Sequence, residues 1–164
     1  MRVGVVSDVH GSYPLLRQVV REMGPIDLLV QAGDSARDVA RLLAEEDIPC
    51  RQVAGNCDFC CSLEEEARFA LGRWQVLLTH GHRFGVKQSL LRLALHARQA
   101  RADLVIFGHT HVPYWGEDGG IRFFNPGSLS LDRCFGRPSY GILEFTDKGI
   151  RAAIFYPGGV RVSG

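Results

Sequence analysis

The chain has 164 residues, with 19 Lys and Arg against 18 Asp and Glu and a formal net charge of +1. That length fits one domain over residues 1–164, with a core large enough to fold without disulfide or oligomer support. A near-neutral balance excludes a bulk field for nucleic acid or a membrane surface, so any selectivity for anions has to be local.

The N-terminal run Met1-Arg2-Val3-Gly4-Val5-Val6 lacks the apolar length and cleavage pattern of a signal peptide, and no later stretch is long enough to span a bilayer. Five cysteines without regular spacing fit reduced thiols better than a disulfide framework. A cytoplasmic location with no membrane partner is therefore expected.

In chain order, residues 2–7 form a valine-rich run that predicts a strand, broken by Asp8-Val9-His10-Gly11-Ser12. Ser12 is placed to cap a helix in which Leu15, Leu16, Val19, Val20 and Met23 recur at helical spacing, closed by Gly24-Pro25. The unit repeats. Residues 27–31 predict a second strand, Gly33-Asp34-Ser35 a loop, and 36–46 a helix with Val39, Leu42 and Leu43 on one face. A third strand over 51–54 runs into Gly55-Asn56-Cys57-Asp58.

The texture then changes. Residues 67–71 and 74–79 read as a hairpin about Gly72-Arg73, 86–101 as an amphipathic surface helix, and 104–107 as a buried strand ending at Gly108-His109-Thr110-His111. Segments 122–125, 139–145 and 150–156 read as antiparallel strands. Two stacked mixed sheets with helices outside, a four-layer α-β-β-α sandwich, satisfy both halves of the chain.

Polar motifs fall directly after five predicted strands: Asp8-x-His10, Gly33-Asp34, Gly55-Asn56, His80-Gly81-His82 and Gly108-His109-Thr110-His111. Strand ends are where α/β proteins place ligands. Divalent metals accept imidazole nitrogen with carboxylate or amide oxygen, and an Asp-x-His or His-x-His spacing on extended chain points both side chains one way. Singly, each motif is equally a turn, a cap or a satisfied histidine. Together they point to a metal centre.

In this order, with Thr79-His80-Gly81-His82 and Asn125-Pro126-Gly127-Ser128, the motifs resemble the calcineurin-like metallophosphoesterase superfamily, and within it the small YfcE-type phosphodiesterases. The resemblance spans Asp8 to Ser128. It implies two divalent metals, one held by Asp8, His10, Asp34 and His111, the other by Asp34, Asn56, His80 and His109, with Asp34 bridging. Manganese comes first, with nickel, cobalt, iron and zinc as alternatives to which mixed nitrogen and oxygen ligation is also suited. The implied reaction is in-line hydrolysis of a small-molecule phosphate ester, most naturally a diester, by a hydroxide that both metals share.

The chain departs from many superfamily members at Cys57, where histidine commonly follows the motif asparagine. A thiol is a weak donor and carries no imidazolium charge, so acid assistance to the leaving group should be poor. Among supporting groups, Asp58 is placed to orient the loop or a ligand, His82 to face substrate, and Asn125 and Ser128 to line the cleft. Asp34, Asn56, Cys57, Asp58 and His82 are the candidate catalytic set. A structural zinc site using Cys57, Cys60 and Cys61 lacks a second matching pair, because Cys50 and Cys134 stand apart. His96 is expected on the surface.

Two other functions compete with the enzyme. The retromer subunit of the same fold suggests a scaffold with weak or absent catalysis, whereas a nuclease would call for a basic-aromatic stripe that is missing here. Tyr114 and Trp115 could wall the cleft or form a homo-oligomer contact, and the sequence does not choose between these.

Overall fold

The computed structural model describes residues 1–59, 61–131 and 136–161; Cys60 and Cys134 lie outside these. The chain runs β1 (Arg2–Val6), α1 (Tyr13–Met23), β2 (Leu28–Ala32), α2 (Ala36–Glu45), β3 (Cys50–Val53), β4 (Glu66–Leu71), β5 (Trp74–Thr79) and a 3₁₀ turn (His82–Phe84). It continues with α3 (Leu91–Gln99), β6 (Leu104–Ile106), β7 (Tyr114–Asp118), β8 (Ile121–Asn125), β9 (Tyr140–Thr146), β10 (Gly149–Tyr156) and β11 (Val160–Arg161).

One sheet has the order β11-β10-β9-β1-β2-β3 and the other β4-β5-β6-β8-β7. Both are mixed. β1, β2 and β3 are parallel, whereas β9 returns antiparallel to β1, with Val3 opposite Leu143. In the second sheet β5, β6 and β8 are parallel, with β4 and β7 antiparallel on the two edges.

The alternation of side chains sorts the apolar residues into three layers. Val3, Val5, Val30, Ala32 and Val53 meet Val76, Leu78, Leu104, Ile106 and Phe124 between the sheets. On the outer face of the first sheet, Val6 and Leu29 pack with Leu16, Val19 and Met23 of α1 and with Val39 and Leu42 of α2. On the outer face of the second, Leu77, Val105 and Phe123 pack with Leu93, Ala94 and Ala97 of α3. Because the central strands are covered on both sides, they read as continuous apolar runs rather than alternating ones. The result is the expected α-β-β-α sandwich.

Three local features differ from the sequence reading. The Ser12 side chain makes no capping bond; its carbonyl instead accepts from the Leu15 and Leu16 N–H groups, and α1 opens on Tyr13-Pro14. The helix expected over 86–101 is confined to Leu91–Gln99, because Gly85 takes a left-handed φ of 65° and Ser89 Oγ accepts from the Leu91 N–H, which starts the helix late. β7 and β11 have no counterpart in the expected strands. Both expose most of their residues, which removes the apolar signal.

No helix among the described residues is long and apolar enough to cross a membrane.

Candidate metal centre

The parallel strands β1, β2, β3, β5 and β6 all end at one rim, and each delivers its polar motif there. The loops are tied together by their backbones: the Asp8 N–H donates to Gly33 O at 3.0 Å, the His10 N–H to Asp34 O at 3.2 Å, and the Gly108 N–H to His80 O at 3.2 Å. Asp8, His10, Asp34, His109 and His111 all adopt left-handed backbone, with φ between 48° and 66°. Asp and His tolerate that region better than most residues, but each such residue still costs of order 1–3 kcal/mol. Each kink turns the chain at the sheet rim and aims its side chain inward.

Asp8 Oδ1 lies 3.0 Å from His111 Nε2 and 3.8 Å from both His10 Nε2 and His80 Nε2. Asp34 Oδ2 lies 3.4 Å from His80 Nε2 and 3.7 Å from His10 Nε2. His109 Nδ1 is 3.2 Å from His80 Nε2. Three groupings of donor atoms are therefore close enough to share an ion: Asp8 with His10 and His111, Asp8 with Asp34 and His80, and His10 with Asp34 and Cys57. Asp34 joins two of them. Asn56 stands on the exposed rim of the cluster, with its Nδ2 3.4 Å from Cys57 Sγ.

The residues fit divalent cations on a direct structural observation. Asp8 Oδ1 and His10 Nε2 are buried and have no hydrogen-bond partner, which is costly unless a cation completes them. Burial alone would raise the Asp8 pKa, but the facing imidazoles of His10 and His111, the charge of His80 and the Ser7 hydroxyl hold it below the usual carboxylate range. Burial likewise opposes ionisation of Asp34, yet His80 and the Cys57 N–H bring its pKa down to about 2. Both carboxylates are ionised at neutral pH.

The histidines divide. Burial would lower the His80 pKa, but Asp34 and Asp8 raise it, whereas burial and the charges of His80 and Lys87 push His109 down to about 4. His109 is therefore neutral at neutral pH. His82, lowered by burial and by His80, lies 3.7 Å from Glu65 with its Nδ1 buried and unpartnered.

A ring of polar residues behind the cluster fixes it. Ser7 Oγ donates to Asp8 Oδ2 at 2.5 Å and Ala32 O accepts His80 Nδ1–H at 2.7 Å, which leaves His80 Nε2 facing the carboxylates. The His109 N–H donates to Asp8 Oδ2 at 3.0 Å, and the Cys57 N–H to Asp34 Oδ1 at 2.7 Å. Asn125 and Ser128 are buried behind the ligands rather than lining the cleft. Asn125 Nδ2 donates to Gly108 O at 2.9 Å and Thr110 Oγ1 at 3.0 Å, and Ser128 Oγ donates to Asp8 O at 2.9 Å.

Both Asp58 oxygens are engaged by backbone, Oδ1 by Ala36 N–H at 2.9 Å and Oδ2 by Gly55 N–H at 2.9 Å, so Asp58 braces the 55–58 loop against the start of α2. Ser7 and Ser35, whose Oγ accepts the Val9 N–H at 3.2 Å and donates to Gly33 O at 3.0 Å, escaped the sequence reading. The one signal for Ser7 is a hydroxyl at the buried end of an otherwise apolar strand.

The cysteines form no zinc site among the described residues. Cys61 Sγ donates to Asp58 O, Cys50 is half-buried with desolvation pushing its pKa up to about 12, and Cys57 turns toward His10 and Asp34. His96 is half-buried rather than free on the surface, its Nε2 2.6 Å from Glu66 Oε2 and its ring 4.9 Å from that of Phe84.

Two buried carboxylates and four imidazoles, aimed at one point by kinked strand ends, define a candidate centre for divalent metals in a two-sheet α/β protein. The chain belongs to the calcineurin-like phosphoesterase superfamily, whose domain matches residues 1–148. It is 35% identical over 144 residues to the probable metallophosphoesterase YsnB of Bacillus subtilis, covering 87% of this chain and 83% of that one. It is 30% identical over 170 residues to the phosphodiesterase YfcE of Escherichia coli, covering 88% of each.

Among solved structures, a Streptococcus pneumoniae protein described as a predicted phosphoesterase superposes with a TM-score of 0.85 at 30% identity, covering 99% of this chain and 93% of that one. Vps29 of Entamoeba histolytica in complex with zinc superposes with a TM-score of 0.77 at 27% identity, covering 95% and 92%.

Proposed function

We propose that this domain is a binuclear-metal phosphodiesterase of the cytoplasm, in which Asp8, His10, Asp34 and His111 hold one divalent cation and Asp34, Asn56, His80 and His109 the other. The observation that carries the reading is the convergence of buried Asp8 and Asp34 on His10, His80 and His111 at 3.0–3.8 Å, with Asp8 Oδ1 and His10 Nε2 lacking other partners. Similarity to YfcE supports a diester substrate.

When bound, two divalent cations supply positive charge for the phosphoryl oxygens and lower the pKa of water toward neutrality. The chain's own residues set the rest. Asp34 would be the carboxylate common to both cations, and the Cys57 N–H, donating to its Oδ1, fixes its rotamer. Ala32 O fixes the His80 tautomer. Cys57, at the edge of the cluster, stands where a better proton donor would help an alkoxide leave, and its thiol gives little help. The domain is therefore biased toward esters with good leaving groups.

The test is hydrolysis of bis(p-nitrophenyl) phosphate by chelator-treated protein with manganese, nickel, cobalt, iron or zinc restored singly. The proposal expects metal-dependent release of p-nitrophenol, with manganese most effective. The likeness to zinc-bound Vps29 supports a second reading, a metal-holding scaffold without catalysis. Metal uptake with no turnover on any diester or monoester would select it.

A further inference from the structure

The metal cluster opens on one side into a cleft of about 760 Å³, between the loop that follows β3 and the start of α2. His10, Asp34 and Cys57 belong both to the cluster and to the cleft wall, and Arg37, Phe59 and Leu63 line the remainder. Its volume is that of a site for an organic ligand, not for phosphate alone.

We infer that this cleft seats the organic part of a nucleotide-type ester, with an aromatic ring stacked on Phe59 and a second anionic group held by Arg37. The inference rests on the phosphoesterase reading above and assigns it a substrate class. Phe59 is 77% exposed and, among the described residues, has no ring partner. An aromatic face held open to solvent beside a polar reaction centre is an unused stacking platform.

The charges of the cleft point the same way. Its two other acids are already engaged by backbone donors: Asp58 by the Gly55 and Ala36 N–H groups, and Asp38 Oδ2 by the Gly11 N–H at 2.9 Å. Arg37 makes no ion pair among the described residues, unlike its neighbour Arg41, which pairs with Glu45. The cleft therefore offers a planar apolar surface and an uncommitted guanidinium, each suited to one part of a nucleotide. A sugar monophosphate, with neither an aromatic ring nor a second anionic group, would leave both Phe59 and Arg37 unengaged.

Competitive inhibition of manganese-dependent diester hydrolysis tests this with three probes: ribose 5-phosphate, adenosine 5′-monophosphate and adenosine 3′,5′-bisphosphate. Inhibition should strengthen in that order. Phe59→Ala should weaken adenosine monophosphate about tenfold, the effect of losing one base stack, while leaving ribose 5-phosphate unchanged and Phe59→Trp unaffected. Arg37→Ala should abolish the advantage of the bisphosphate over the monophosphate.

Both side chains are exposed, so the variants should fold as the parent does. Equal inhibition by ribose 5-phosphate and adenosine monophosphate, or variants indistinguishable from wild type, would overturn the inference while leaving the phosphoesterase reading intact. If the protein hydrolyses no diester, that reading fails. Calorimetric binding of the same probes to metal-loaded protein then decides the cleft on its own.

Discussion

Gly55 is the position where a single methyl group tests whether the metal centre depends on its loops. A Cβ built there would sit 2.5 Å from Asp34 N and 2.7 Å from Asp34 Cγ, and would overlap Asp34 Oδ1. Ordinary van der Waals contact begins near 3.4 Å, so the Asp34 backbone has to retreat by about 0.9 Å. It cannot do so freely, because Asp34 O accepts the His10 N–H at 3.2 Å and Asp34 Oδ1 accepts the Cys57 N–H at 2.7 Å.

Overpacking of this kind costs about 1–3 kcal/mol, which a domain of this size survives. A displacement near 1 Å of the carboxylate proposed to bridge the two cations is more serious, since misplacement on that scale lowers rates about 100-fold. Gly55→Ala should therefore remain folded by circular dichroism, bind metal more weakly by calorimetry, and lose about 100-fold in diester hydrolysis at fixed manganese. A variant with wild-type metal affinity and rate would refute the claim that the close approach of the 55–58 loop to Asp34 sets the site.

Two further outcomes follow from the same geometry. Cys57→His should raise turnover of esters with poor leaving groups by up to about 100-fold and flatten the dependence on leaving-group pKa; an unchanged slope across a leaving-group series would remove Cys57 from proton delivery. Because the folded Asp34 pKa, about 2, lies below its ordinary value of 3.8, its ionisation stabilises the fold above the unfolded value and is lost as pH falls through the folded one. Chelator-treated wild type should therefore lose stability between pH 4 and 2 more steeply than Asp34→Asn, as read by urea midpoints; parallel curves would contradict this.

The sandwich was legible because its central strands are buried on both faces and its helices carry apolar residues at regular spacing. Edge strands were not. Tyr114–Asp118 is almost wholly exposed, so neither alternation nor an apolar run marks it. Likewise, nothing in residues 86–90 announces that the left-handed Gly85 delays α3 until Leu91.

The ligand candidates could be read because side chains able to bind metal stand immediately after apolar runs. What aims them could not: the left-handed backbone at Asp8, His10, Asp34, His109 and His111 is imposed by contacts between loops far apart in sequence. For the same reason Asn125 and Ser128 were recognisable as site residues while their work, bracing the 108–111 loop and the Asp8 carbonyl, was not.

The number of divalent cations bound per chain is the most direct measure of the central claim. Mass spectrometry of protein reloaded with manganese in excess, paired with Asp34→Ala, should give two ions per chain for wild type and fewer than one for the variant. One ion or none in wild type, or two in the variant, would contradict a binuclear centre built around Asp34.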